Sequence, residues 1–260
     1  MIRDVMDPAR ADALAVTLGR AERFAKGDPL PPFFHQVYFW DPVPADGLGR
    51  DGHPRTGTGL IPDMGLPRRM WAGGRLTFAA PLRAGVPAEK HSTVVSTQRK
   101  QGRTGPLAFV TLRHDIVQAG ALCVREFQDL VYREDPDPDA LAPAPRQAPA
   151  DVNAEDVRFD STLLFRYSAL TFNGHRIHYD LDYAREVEGY PGLVTHGPLL
   201  AQFLMLKAAR ALGPLTAFSF RAVAPLGHTE TATLCRDDQR LWARGPGGGL
   251  AMEADAEVGP

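Results

Sequence analysis

Residues 167–200, YSALTFNGHRIHYDLDYAREVEGYPGLVTHGPLL, place three histidines, His175, His178 and His196, in one short run with Asn173, Asp180 and Tyr183. The run closes on Gly197-Pro198, after which Leu199 to Leu212, LLAQFLMLKAARAL, is apolar on most faces. Proline suits the first turn of a helix, where its missing N–H costs nothing, and Gly213-Pro214 supplies the stop. A helix apolar nearly all round has to be buried, so the rest of the chain must wrap it.

The wrapping is legible downstream. Four segments rich in β-branched and aromatic residues follow the helix: LTAFSFRAVAPL (215–226), TETATLCRD (229–237), QRLWARG (239–245) and GLAMEADAEV (249–258). Glycine, proline and aspartate mark their joins, as in an antiparallel meander. Upstream, RFDSTLLFRYS (158–168) reads as a short strand leading into the histidine run, and LDYAREVEGY (181–190) as a short helix capped by Asp180 and Asp182. The second half is therefore a central helix enclosed by an antiparallel sheet.

The first half repeats the meander without the helix. RRMWAGGRLTFAAPL (68–82), KHSTVVSTQRKQG (90–102), LAFVTLRHDIVQAG (107–120) and ALCVREFQDLVYRE (121–134) all have strand character. TFAAPLRAG (77–85) lines up loosely with RAVAPLGHT (221–229), each at the end of a leading strand, which suggests duplication with the helix and histidines lost from the first copy. Ahead of it, Asp7-Pro8 opens ARADALAVTLGRAERFAK, read as one amphipathic helix with Ala11, Leu14, Ala15, Leu18 and Ala21 on its apolar face. Gly27 to Pro67, which includes PPFFHQVYFW (31–40), is dense in turn signals and reads as an irregular cover over a sheet or groove. Between the halves, residues 135–152 are rich in proline, alanine and aspartate, as in a semi-rigid connection. The expected organisation is a domain at 1–134, a linker at 135–152 and a second domain at 153–260.

Bulk properties narrow the function. With 29 basic against 31 acidic residues the chain has no electrostatic footprint for nucleic acid or an anionic membrane, so a small-molecule partner is expected. Cys123 and Cys235 are too few and too far apart for a disulfide framework. No apolar run reaches membrane-spanning length and the N-terminus lacks the core of a signal peptide, so a cytoplasmic location is expected.

Within the focal run, His178 is the first candidate for acid/base work, since imidazole both takes and gives a proton near neutrality; its alternative is a core histidine bonded to a backbone carbonyl. Asn173, five residues earlier, has an amide that holds a water but cannot act as a base; its alternative is a plain turn residue before Gly174. Gly197 N–H is expected at the positive end of the apolar helix, where it would bond an oxygen that gains negative charge; its alternative is a plain helix start. His175 and His178 with His196 or Asp180 also have the chemistry of metal ligands, but H-x-x-H outside a metal motif is a weak signal. Arg176, Arg221 and Arg69 each carry the planar fork that clamps a carboxylate or phosphate, and Arg176 lies inside the run.

These residues resemble a known family. FNGHRIHYDLDYA (172–184) followed by GLVTHGPLL (192–200) is similar to the hydratase signature of MaoC-like enoyl-thioester hydratases and dehydratases. In that family an Asp precedes a His by five residues, and an HG step follows whose glycine N–H forms an oxyanion hole. By that resemblance His178 is the catalytic histidine and Gly197 the oxyanion donor, while Asn173 stands where most members carry Asp. WAGGRLTF (71–78), KQGRTGPLAFVTLRH (100–114) and FQDLVYRE (127–134) resemble the divergent N-terminal domain of the same family. The likeness is nearest to the branch that hydrates 3-methylfumaryl-CoA or itaconyl-CoA, in which FN-x-HRIHYD is the usual form.

The resemblance implies an α+β double hotdog with one site per chain, a CoA-thioester substrate, no metal and no organic cofactor. It implies reversible hydration of an α,β-unsaturated acyl-CoA, with His178, Asn173 and Gly197 catalytic, and His175, Arg176, His196 and Arg221 as candidates for holding substrate. A homodimer is expected from the exposed sheet edges of such a fold. Two alternatives remain open: an acyl-CoA thioesterase of the same fold and a non-catalytic acyl-thioester binding protein.

Overall fold

A computed structural model of the chain describes residues 1–102, 105–137 and 144–259. Its strands form one ten-stranded antiparallel sheet in the order β1-β3-β4-β5-β2-β7-β10-β9-β8-β6. The first half supplies β1 (Ile2–Asp4), β2 (Arg68–Phe78), β3 (Ala88–Gly102), β4 (Gly105–Gln118) and β5 (Ala121–Arg133). The second supplies β6 (Glu155–Arg158), β7 (Leu215–Ala222), β8 (Thr231–Asp237), β9 (Arg240–Arg244) and β10 (Leu250–Val258). The helices are α1 (Pro8–Thr17), α2 (Ser161–Leu170) and α3 (Gly197–Leu212).

The expected helix in the second half is α3, and its apolar residues are what the sheet encloses. Leu199, Ala201, Leu204, Met205 and Ala208 are fully buried, and each large side chain among them contributes roughly 1.5–3 kcal/mol by leaving water. In β4 every second residue from Ala108 to Gln118 is buried, the period-two pattern of a sheet with one face on the core.

The two meanders meet where β2 pairs with β7 in antiparallel register, from Gly73 opposite Arg221 to Thr77 opposite Ala217. A side chain is excluded at Gly73 in this seam, since a Cβ there would lie 2.6 Å from the Phe220 carbonyl oxygen. The weak internal repeat has a structural counterpart on either side of it. Leu82 O accepts from Leu30 N at 2.8 Å in the first half, and Leu226 O accepts from Thr195 N at 2.8 Å in the second. Two residues after Thr195, α3 begins; four residues after Leu30 the chain makes only a 3₁₀ turn, Phe34–Val37. Among the described residues the first half has no counterpart of α3 at this place, and the segment from Gly27 to Pro67 covers the gap irregularly. Phe33, Phe34 and Val37 are buried there, and Pro32 O accepts from the Gln202 side chain of α3 at 2.9 Å.

Two local expectations are corrected. RFDSTLLFRYS is not a strand: β6 ends at Arg158, Asp160 Oδ1 accepts from Leu163 N at 2.8 Å, and the capped residues continue as α2. The Asp-Ser pair ahead of an apolar run was an N-cap signal. The N-terminal helix stops at Thr17, because Gly19 at φ 73° turns the chain and Asp12 accepts from Phe24 N at 2.8 Å, leaving Ala21 exposed. LDYAREVEGY does form the expected short helix, over 181–187, its Tyr183–Val187 part a π-helix, and Asp180 Oδ1 accepts from Tyr183 N at 3.0 Å. Of the connecting segment, residues 138–143 lie outside the described residues. Its later part is laid along the β9–β10 turn, with Leu250 N donating to Arg146 O at 2.7 Å.

Candidate active site

The focal run folds into a compact knot at the N-terminus of α3. Asn173 Oδ1 accepts from His175 N at 3.0 Å, closing a tight Asx turn after α2, and a 3₁₀ turn, Arg176–His178, follows. His178 lies on that turn, 6% exposed. Its Nδ1–H donates to Val194 O at 2.7 Å, which fixes the tautomer and leaves Nε2 with a free lone pair. Its ring stacks on His196 at a centroid distance of 3.6 Å and meets His175 edge to face at 5.3 Å.

His196 is the N-cap of α3 and is fully buried, its Nε2 hydrogen-bonded to Ser168 Oγ at 2.8 Å. It serves as the floor under His178 and has no open face for substrate. Gly197 is the first residue of α3, so its N–H has no intrahelical acceptor, and it is half-buried beside the Trp71 carbonyl of β2. The free imidazole nitrogen and the helix-terminal amide thus belong to one knot, joined through the His178–His196 stack.

Burial sets the protonation of the histidines. Removal from water pushes His178 down to about 3, His175 to about 2 and His196 well below its ordinary value. All three are neutral at pH 7, which suits His178 to accept a proton. Unfolding restores an ordinary pKa near 6.5, so between about pH 3 and 6.5 the unfolded chain binds more protons and stability rises with pH. Lowering the pH from about 7 to 5 is expected to lower the urea midpoint, at up to about 1.4 kcal/mol per pH unit for each proton taken up. His178→Asn should show a shallower dependence; an unchanged one would contradict the assignment.

The arginines divide. Arg176 is tied to Asp180 at 2.7 Å, lies 4.3 Å over the Tyr183 ring and remains 39% exposed, so it stays at the rim of the knot. Arg221 is not brought to the site: it alternates with buried Phe220 on β7, points to the opposite sheet face and pairs with Glu253. Arg69 is buried and close to Asp51, at 3.9 Å.

Sequence reasoning missed the last component. The irregular cover sends residues 49–54 down onto the histidine knot, where Asp51 O accepts from Arg176 N at 2.9 Å. The backbones press together so closely that a Cβ on Gly52 would lie 2.0 Å from Gly174 O, and one on Gly174 2.5 Å from Gly52 O. Gly52 also needs its positive φ of 84°. Asp51 Oδ2 accepts from His53 Nδ1 at 3.0 Å, and the His53 ring lies 4.6 Å from that of His175. Ligand atoms of Asp51, His53 and His175 all fall within 4.8 Å of one another. A D-G-H tripeptide among turn residues gives no period to read; only its residue types hinted at chemistry.

Comparison with known proteins agrees with this picture. Residues 33–228 match the family model for hydroxyacyl-thioester dehydratase type 2. Mesaconyl-C(4)-CoA hydratase of Chloroflexus aurantiacus is 45% identical over 266 residues, covering 99% of this chain and 94% of the relative. Crystal structures of HtdX from Mycobacterium tuberculosis include one that superposes with a TM-score of 0.67 at 16% identity over 99% of both chains. A second protein of that organism, described as having a double hotdog fold, gives 0.61 at 13% identity over 98% of this chain and 92% of its own. The fold is accordingly a double hotdog of the α+β class, as the sequence implied.

Proposed function

The chain belongs to the hydroxyacyl-thioester dehydratase type 2 family, and from that premise we propose that it catalyses reversible addition of water to an α,β-unsaturated acyl-CoA. The substrate is a C5 dicarboxylic thioester of the mesaconyl-C4-CoA type, and the likeness to the Chloroflexus hydratase along the full chain is the observation that carries the reading. His178 Nε2 takes a proton from water as the oxygen bonds to the β-carbon. Charge moves toward the thioester oxygen, which Gly197 N–H meets at the start of α3, and the α-carbon takes the proton back from the imidazolium. Arg176, 39% exposed at the rim, is our candidate for meeting a substrate carboxylate. The protein works as a cytoplasmic homodimer; no helix among the described residues is long and apolar enough to cross a membrane.

Hydration of mesaconyl-C4-, itaconyl- and crotonyl-CoA tests the reading, followed by loss of enoyl absorbance beside free-thiol release. The dicarboxylic thioesters should be consumed faster than crotonyl-CoA with no thiol appearing; thiol release without hydration would make the protein a thioesterase. Asn173 acts by shaping the turn that presents His178. Asn173→Ala is expected to lower kcat about tenfold, the equivalent of one hydrogen bond, about 1.4 kcal/mol, and Asn173→Asp to retain most of the activity because its carboxylate still accepts from His175 N. Equal losses in both variants would remove that role.

A further inference from the structure

We propose that His53, held by Asp51, is a second catalytic residue of this site, accepting a hydrogen bond from the attacking water beside the motif's amide at position 173, which has only one oxygen to accept with. This goes beyond the assignment of His178 and Gly197 and rests on the hydration reading. A water that attacks carbon while passing one proton to His178 still has a second O–H to direct. In the motif the residue at 173 would be its natural partner, but Asn173 Oδ1 already accepts from His175 N at 3.0 Å, so one of its two lone pairs is spent and the second oxygen of a carboxylate is absent. An amide nitrogen offers only donors.

Asp51 and His53 supply what is lacking. The Asp51 carboxylate accepts from His53 Nδ1 at 3.0 Å, so that nitrogen carries the proton and Nε2 is left as a bare acceptor, the arrangement by which a carboxylate orients a catalytic imidazole. The Asp51 carboxylate accepts from His53 N as well, at 3.0 Å, and has Arg69 at 3.9 Å, so the dyad is braced from two sides. Burial works to raise the Asp51 carboxyl, but the hydrogen bonds it accepts from His53 and the nearby Arg69 charge outweigh it and hold the carboxyl below its ordinary range. Burial lowers His53, which keeps its ring neutral near pH 7.

Placement agrees with the role. The His53 ring packs 4.6 Å from His175, which in turn meets His178 at 5.3 Å, so the three rings form one continuous cluster. The His53 side chain remains 23% exposed, so the dyad lies at the edge of the cluster. The dyad belongs to the covering segment of the first half, and the Gly52–Gly174 contact and the Arg176 N to Asp51 O bond fasten it to the knot. The half without histidine knot or helix then completes the site. No net proton is consumed: one water proton passes to His178 and on to the α-carbon, the other stays on the oxygen that becomes the product hydroxyl, and His53 returns to its starting state.

His53→Ala and Asp51→Asn in the full-length protein, assayed on mesaconyl-C4-CoA beside the unaltered chain, test this directly. His53→Ala is expected to lower kcat 10- to 100-fold with KM changed less than threefold, and millimolar imidazole should restore part of the rate. Asp51→Asn should lose a similar amount without imidazole rescue, since an asparagine amide reverses the favoured tautomer while His53 still fills the space. Unaltered kcat in His53→Ala would overturn the proposal, as would a loss that tracks a lowered Tm with no imidazole rescue. Activity abolished by chelator and restored by zinc would overturn it in favour of a metal at Asp51, His53 and His175. An unaltered chain inactive on every enoyl-CoA would instead remove the hydration reading, and the proposal with it.

Discussion

His178→Ala is expected to lower kcat for hydration by about 10⁴-fold, the upper end of what a single acid/base group supplies. The large figure follows from the environment: the other rings touching it, His175 and His196, are buried and driven strongly toward the neutral form, and His196 has no open face. Removing the ring also leaves Val194 O without its 2.7 Å partner, at a cost of about 1–3 kcal/mol in stability. His178→Asn separates the two effects, because its amide can still donate to that carbonyl but offers no base. Both variants should remain folded by circular dichroism, with the asparagine form the more stable, and both should be inactive. Near-full turnover in either would move the catalytic role elsewhere.

Gly197→Pro is expected to cost about 10²- to 10³-fold in kcat, the range for loss of one oxyanion donor. The substitution replaces the amide hydrogen with the proline ring and so removes the donor. Proline belongs at a first helical position, and His196 at φ −60°, ψ 130° already has the extended backbone a following proline demands. Gly197→Ala is the control, since it keeps the N–H and its Cβ would sit 3.4 Å from Trp71 O, an ordinary contact. Alanine active with proline inactive, at equal Tm, is the expected pattern. Equal activity in both would mean that the amide does not meet the developing charge.

How far the sequence could be read depended on whether a feature had a period. The α3 helix, the strands of both meanders and the missing helix of the first half all announced themselves through apolar spacing and turn residues. His178, Asn173, Gly197, His175 and His196 did assemble into one knot, because the run that carries them is short and local. Arg221 failed for a geometric reason: alternation on β7 turns it to the face opposite Phe220, which no residue type reveals. Asp51 and His53 were missed because their approach to His175 is long-range, through two glycine backbones in contact.

The most direct measurement uses mesaconyl-C4-CoA in isotopically labelled water with the unaltered chain and His178→Asn. The account predicts one labelled oxygen on the β-carbon of an intact thioester, formed by the unaltered chain and not by the variant. Label in a free carboxylate beside released CoA, or equal incorporation by both proteins, would contradict it.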